Sequence, residues 1–131
     1  MMKSGLQHPY DNCLIKYAEY NFFGEIDNVN KFYLSNTEPV CNPRVFIPTR
    51  NQLLRQLATK AAGQNSFYAA GDANVGPAGS STMKVYGLVQ CTRDLSGKNC
   101  RNCLYGAIAE LPVLWFPTGR ESCGRELQRQ I

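Results

Sequence analysis

Apolar side chains recur at intervals of three and four residues between positions 48 and 62, which is the spacing of one helix face. The apolar members of this stripe are Leu53, Leu54, Leu57, Ala58 and Ala61. Pro48 stands near the start of the segment and Gly63 near its end, where proline and glycine are commonly found in helices. The pattern therefore predicts a helix over 48–62.

Alternation with a period of two is typical of strands, and it is clearest over residues 81–91. There, Met83, Val85 and Val89 point to one side, and Lys84, Tyr86, Leu88 and Gln90 point to the other. Shorter runs predict further strands within 9–20 and over 66–72. The Gly- and Pro-rich segment that follows residue 72 is expected to be a loop.

A second helix is predicted to begin near residues 97–100 and to end before Pro112, because proline cannot continue a helix. The order of elements indicates an α+β fold with two helices packed on one face of an antiparallel sheet. The helix side chains expected on that face are Leu53, Leu54, Leu57, Ala61, Ile108 and Leu111, with Val85, Val89 and Tyr68 opposite. Residues 21–45 read as a linker, with an extended piece at 31–34.

Composition and charge exclude several classes of protein, including disordered, membrane-spanning and nucleic-acid-binding proteins. The chain has 131 residues and is 44% hydrophobic, enough for one domain with a buried core. Its net charge of +4 comes from 14 basic and 10 acidic residues that are scattered without a block, so no nucleic-acid partner is expected. No apolar run is long enough for a membrane span. The start also lacks the apolar stretch of a signal peptide, so the protein is either intracellular or this chain lacks its natural beginning.

Six cysteines are the main candidates for chemistry, and three of them, Cys91, Cys100 and Cys103, are spaced Cys-x8-Cys-x2-Cys where a strand leads into a helix. A structural zinc site normally needs four ligands, but the other cysteines are isolated and the single histidine is His8, in an N-terminus expected to be floppy. No metal or other cofactor is therefore expected.

Two further interpretations of the cysteine cluster remain open at this point. Cys100 and Cys103 form a Cys-x2-Cys pair at a helix start, where the helix dipole and nearby Lys98 and Arg101 favour a redox-active thiolate. Alternatively, Cys91 and Cys100 form a structural disulfide across the strand-to-helix loop, and Cys103 bonds to a distant strand. Such bridges persist only in an oxidising compartment.

The run MKVYGLVQCTRDLSGKNCRNCLYGAIAELP at 83–112 resembles a plant family, the Gnk2-homologous or stress-antifungal domain. The helix over 48–62 and the following FYAAGD fit the same domain. YDNCLIKY at 10–17 resembles the closing strands of a preceding copy, and 21–33 resembles the linker between tandem copies. The resemblance implies three parts: closing strands over 1–20, a linker over 21–45 and a truncated second domain over 46–131.

Disulfides and ligand residues are also implied by the resemblance. The family pairs the positions of Cys91 and Cys100, and it pairs that of Cys103 with a cysteine of the closing strand. Here Cys123 or Cys13 would take that place, Cys13 by adding the 10–17 strand to a sheet that is incomplete at its C-terminus. The family's lectin-like member binds mannose through Asn, Arg and Glu, residue types found here at Asn42, Arg120 and Glu126.

The function implied by this resemblance is that of a secreted, non-enzymatic plant defence or recognition module, carbohydrate-binding or antifungal. Its partners would be mannose-type glycans or other cell-wall carbohydrate. One alternative is an ectodomain fragment of a cysteine-rich receptor-like kinase, or of a plasmodesmal protein, that binds a protein partner or forms homo-oligomers. A second alternative is a thiol redox protein that uses Cys100 and Cys103. No catalytic residue is predicted otherwise, because no nucleophile and base gather in the sequence.

Overall fold

The computed structural model describes residues 5–9, 12–33, 43–76, 83–111 and 127–128. Its first helix, α1, runs from Pro43 to Ala62 and so begins five residues before the predicted start. Pro43 occupies the first helical position, where the missing N–H of proline costs nothing. Pro48 lies inside the helix. The prediction was therefore wrong about which proline begins the helix.

The second helix, α2, runs from Gly97 to Ala109 and begins where the sequence predicted. Ser96 caps it: the Ser96 side chain accepts a hydrogen bond of 3.1 Å from the backbone N–H of Asn99. Thr59 and Tyr105 share a hydrogen bond of 2.9 Å between α1 and α2. The start of α2 also lies against the end of α1, because a Cβ added at Gly97 would be 2.8 Å from the carbonyl oxygen of Ala62.

The sheet against α1 is built on an antiparallel pair, β3 (Tyr68–Val75) and β4 (Met83–Gln90). Its inner face carries small or β-branched residues: Ala69, Gly71, Ala73 and Val75 on β3, and Val85, Gly87 and Val89 on β4. Tyr68 was predicted on the inner face, but it is 42% exposed. The strand begins at Tyr68, and alternation from buried Ala69 turns the tyrosine outward.

A short third strand, β5 (Leu127–Gln128), pairs with β4 in parallel, with Val85 opposite Leu127. The larger sheet therefore has the order β3-β4-β5 and is not purely antiparallel. Among the described residues, β5 pairs with only two residues of the β4 edge, Val85 and Tyr86.

One apolar core joins both helices to the sheet, and the predicted α+β architecture is confirmed. Among the predicted core residues, Leu53, Leu54, Leu57, Ala61, Ile108, Val85 and Val89 are buried, and Leu111 is partly buried against them. Phe46 is 2% exposed and was missed, because it precedes the predicted helix start. Leu95 and Leu104 also belong to this core.

The N-terminal part forms a separate two-stranded antiparallel sheet of β1 (Gly5–Pro9) and β2 (Leu14–Ala18). His8 therefore lies in β1, opposite Ile15, rather than in a floppy terminus. Since β2 pairs with β1, it is not added to the β3-β4 sheet. The prediction of a borrowed closing strand was wrong: β2 already has a partner in its own hairpin, and β4 has β5.

Candidate functional site

The strand-to-helix junction between β4 and α2 carries the disulfide Cys91–Cys100, whose Cα atoms are 5.6 Å apart. Cys91 is fixed by its backbone N–H, which donates to the carbonyl of Phe67 at 2.9 Å. Cys100 lies in the first turn of α2, where its N–H donates to the carbonyl of Ser96, and its side chain is fully buried. The expected bond is present and closes a loop that contains Asp94 and Asn99.

Cys103 follows one turn later and is a free thiol in the structure, as is the exposed Cys13. Disulfides of Cys103 and Cys13 were expected, and neither residue has a disulfide partner among the described residues. The strand β2, which follows Cys13, pairs with β1 rather than with the larger sheet. Cys41 and Cys123 lie outside the described residues. Pairing of Cys103 with Cys123 therefore stays a prediction.

The redox interpretation required Cys100 and Cys103 to act as a dithiol. Cys100 is instead bonded to Cys91 and has no exposed surface. Burial raises the pKa of the Cys103 thiol, which opposes formation of the reactive thiolate, although nearby Lys31 partly offsets this. The geometry thus provides a structural bridge at this junction and no low-pKa nucleophile at Cys103.

The loop closed by the disulfide binds the linker at Gly24. The Asp94 carboxylate accepts a hydrogen bond of 2.7 Å from the Gly24 N–H, and the Asn99 side-chain amide donates one of 3.3 Å to the Gly24 carbonyl. Gly24 has φ of +78°, a conformation that favours glycine. A hydrogen bond from Thr92 lowers the pKa of Asp94; partial burial opposes this, and the Gly24 N–H adds to it.

A second contact fixes the linker at the far end of α2. Lys31 Nζ lies 2.7 Å from Glu110 Oε1, and the Tyr33 hydroxyl donates to Glu110 Oε2 at 2.8 Å. Hydrogen bonds from Lys31 and Tyr33 lower the pKa of Glu110. The linker therefore runs along α2 and is held near both ends of that helix.

Asp27 organises the linker between these two contacts. Its carboxylate accepts hydrogen bonds from the Val29 and Asn30 backbone, from the Asn30 side chain and from Lys16 Nζ at 2.8 Å. Partial burial pushes the pKa of Asp27 upward, but these hydrogen bonds outweigh it and keep the pKa well below its usual range. Lys16 also lies 4.7 Å from the ring centroid of Phe22, so Asp27 and Phe22 join β2 to the linker.

The candidate carbohydrate residues Asn42, Arg120 and Glu126 all lie outside the described residues, so they remain predictions. Sequence reasoning missed the contacts of Gly24, Asp94 and Asn99, because partners 70 or more positions apart leave no local pattern. No cluster of three or more potential metal ligands occurs among the described residues. No described helix is long and apolar enough to cross a membrane.

The family of this chain follows from its similarity to known proteins. Residues 35–123 match the family described as salt stress response/antifungal. The chain belongs to this family. The match spans both helices, β3, β4 and the Cys91–Cys100 bridge, so the resemblance inferred from the cysteine spacing is confirmed.

Two relatives show how far the similarity extends. An antimicrobial ginkbilobin-2-like protein of Castanea crenata is 53% identical over 103 residues, which cover 79% of this chain and 41% of that protein. Cysteine-rich repeat secretory protein 38 of Arabidopsis thaliana is 47% identical over 105 residues, covering 79% of this chain and 40% of its own length. The chain thus spans about two-fifths of these relatives. No solved structure matches it significantly.

Proposed function

We propose that the chain is part of a secreted, non-enzymatic plant defence protein that binds mannose-type or other cell-wall carbohydrate. The observation that carries this proposal is the similarity to proteins named antimicrobial and secretory, which extends across the disulfide-bearing junction. A disulfide such as Cys91–Cys100 is stable only in an oxidising compartment, so it supports an extracellular location. The buried, bonded Cys100 supports a structural rather than a redox role for the cluster.

The test is retention of the oxidised, secreted protein on immobilised mannan, with elution by free mannose. We expect the triple variant Asn42→Ala, Arg120→Ala, Glu126→Ala to lose retention. The control Asn74→Ala, an exposed position on β3, should keep it. Wild-type protein that passes through the column, or a triple variant that is retained equally, would count against mannose binding at these residues. Fungal growth inhibition, measured separately, tests the defence role.

We propose further that residues 1–20 are closing strands of a preceding domain, 21–45 the linker and 46–131 a second domain. Three features support this arrangement: β1 and β2 form their own sheet, a two-stranded hairpin is marginal alone, and the chain spans two-fifths of its relatives. Leu14, Ile15 and Tyr17 of β2 expose 47%, 55% and 61% of their surfaces. In a longer protein that contains the rest of such a domain, we expect these three residues to be protected. Hydrogen exchange or side-chain labelling would measure this protection.

Binding of a protein partner, or of a second copy, is a further candidate function. The observation that favours it is the pair of tyrosines, Tyr68 and Tyr86, which are 42% and 39% exposed on the outer face of the β3-β4 pair. Tyrosine is enriched in protein interfaces. Light scattering that shows a dimer, converted to a monomer by Tyr68→Ser with Tyr86→Ser, would support this function. A monomer at all concentrations would exclude self-association.

A further inference from the structure

The two helices are rich in basic residues, and the fold packs these helices side by side. α1 and α2 contain six basic residues and no acidic residue, and five of the six are exposed: Arg44, Arg55, Lys60, Lys98 and Arg101. The whole chain carries 14 basic and 10 acidic residues, so everything outside the helices has 8 basic and 10 acidic ones. The helix layer thus has a charge of +6, and the remaining chain has a net charge of −2.

The charges on the two helices are ordered by the way the helices pack. Thr59 contacts Tyr105, and Ala62 further along α1 contacts Gly97 further back along α2, so the helices run in opposite directions. Arg55 precedes Thr59 by four residues and Arg101 precedes Tyr105 by four, which is about 6 Å along each helix. Because the helices are antiparallel, the two arginines lie on opposite sides of the Thr59–Tyr105 hydrogen bond.

Lys98 lies a further turn beyond Arg101 and extends the same row. We call the surface formed by Arg55, Thr59, Tyr105, Arg101 and Lys98 the helix-pair surface. All five residues are exposed. Glu110, just beyond the end of α2, does not neutralise this row, because its carboxylate is bonded to Lys31 and Tyr33 on the linker.

We propose that the helix-pair surface binds an acidic polysaccharide, a polymer that carries carboxylates along its sugar chain. Three cations along one line, with Arg55 about two helical turns from Arg101 and Lys98 one turn beyond Arg101, complement a linear polyanion better than a single compact anion. The neighbouring amides of Gln56 and Asn102, both exposed, can bond sugar hydroxyls. The Thr59 hydroxyl is already bonded to the Arg55 carbonyl and to the Tyr105 hydroxyl. Tyr105, 40% exposed, offers an apolar ring face between the cations.

Two other polyanions are less well matched to this surface. A helix that binds an anionic membrane inserts large apolar side chains such as Trp, Phe or Leu. The exposed positions around the row are Gln, Thr, Asn and Gly, with Tyr105 as the single large ring among these described residues. Nucleic acid is not expected where an extracellular module acts. The exclusion of nucleic acid rests on the proposed extracellular function. The helix-pair surface is defined without Asn42, Arg120 and Glu126, the residues proposed to bind mannose.

The experiment measures binding of the disulfide-bonded 131-residue chain to sodium polygalacturonate by isothermal titration, with fully methyl-esterified polymer as the neutral probe. We expect binding to polygalacturonate that weakens with added salt, and weaker binding to the ester. Arg55→Gln with Arg101→Gln should weaken it by about tenfold, as the loss of two exposed charge contacts implies. Arg55→Lys with Arg101→Lys should bind within about threefold of wild type, because charge is retained.

The matched control is Arg44→Gln with Lys84→Gln, which removes the same two charges from exposed positions at the start of α1 and on the sheet. It should retain near wild-type affinity, with folding of all variants checked by circular dichroism. The proposal is overturned if wild type does not bind, if the control loses as much as the arginine pair, or if the esterified polymer binds equally. Stronger arginine-dependent binding to phosphatidylserine vesicles or to duplex DNA would also overturn it. Mannan retention that persists in the arginine variant would separate this site from the proposed mannose function.

Discussion

Two regions of the described structure are held in place by different forces. The first comprises residues 43–76 and 83–111, and the second comprises residues 5–9 and 12–33. The first region buries a continuous apolar core and is closed by a disulfide between β4 and α2. The second reaches the first mainly through exposed polar contacts, at Asp94, Asn99 and Glu110, with Ile26 partly buried against the core. Buried apolar area supplies most of folding stability, whereas exposed ion pairs contribute little. The linker is therefore positioned by specific polar contacts, and we expect that it can be released without unfolding the core.

The largest effect is expected from a charge in the core. Leu57 is 6% exposed and lies against both Gly71 and Gly87. Leu57→Asp buries an unpaired carboxylate, so we expect a loss of about 4 kcal/mol or more and an unfolded domain. Thermal unfolding followed by circular dichroism measures this. The neighbouring exposed position provides the control, Gln56→Asp, which should melt near wild type; a cooperative, wild-type transition for Leu57→Asp would disprove the packing described.

Loss of the disulfide should have the next largest effect. Replacing Cys91 and Cys100 together with alanine removes the bond that closes a nine-residue separation. A loop of this length implies a loss of about 2–3 kcal/mol in the free energy of unfolding. Urea denaturation of the double variant is compared with that of Cys13→Ser, which changes an exposed thiol and should cost less than about 0.5 kcal/mol. Equal midpoints for the two variants would show that the bond adds no stability.

Two glycines test how tightly the core is packed. A Cβ at Gly87 would lie 3.0 Å from Leu57 Cδ1 and 3.2 Å from Leu53 Cδ2, so Gly87→Ala should cost about 1–3 kcal/mol through overpacking. Gly106 in α2 has no atom within 4 Å of such a Cβ. Gly106→Ala should therefore stabilise the chain by about 0.5–1 kcal/mol. Opposite shifts of the urea midpoint are expected, and a shift of the same sign for both would contradict the packing.

The smallest effect on stability, and the one specific to the linker, is expected at Asp94. Its pKa is lowered in the folded protein, so the contact with Gly24 is present above the ordinary pKa of aspartate and is lost as pH falls through the lower, folded value. NMR should show the Gly24 amide resonance moving in that acid range while the Val89 amide does not. Asp94→Asn should abolish this pH dependence and change global stability by less than about 1 kcal/mol. A Gly24 amide that titrates identically in the variant would exclude Asp94 as its partner.

The features of the apolar core could be predicted from the sequence, whereas the contacts of the linker could not. Periodic apolar patterns follow directly from burial of one face. The apolar stripe from Leu53 to Ala61 and the alternation from Met83 to Gln90 therefore predicted a helix and a strand that the structure contains. Two prolines near one helix start are ambiguous, since either fits the first turn, and Pro43 was assigned to the linker over 21–45. The hairpin partner of β2 was missed because GLQHP carries no strand pattern.

Long-range polar contacts are hidden from sequence reading for a different reason. Gly24 and Asp94 are ordinary linker and loop residues until the fold brings them together, and no periodicity connects them. The same holds for Arg55 and Arg101, whose neighbourhood depends on the antiparallel packing of α1 and α2. The candidate residues Asn42, Arg120 and Glu126 came from resemblance, and mannan retention is the measurement that tests them.

The attachment of Gly24 also determines how the molecule would respond to mechanical load. A pull on the N-terminal hairpin reaches the domain through the Gly24 N–H and carbonyl, which bond to Asp94 and Asn99 within the loop closed by Cys91 and Cys100. That loop is a covalent ring that joins β4 to α2. We therefore expect tension to be shared by the strand and the helix, and to break the two hydrogen bonds before either element leaves the core.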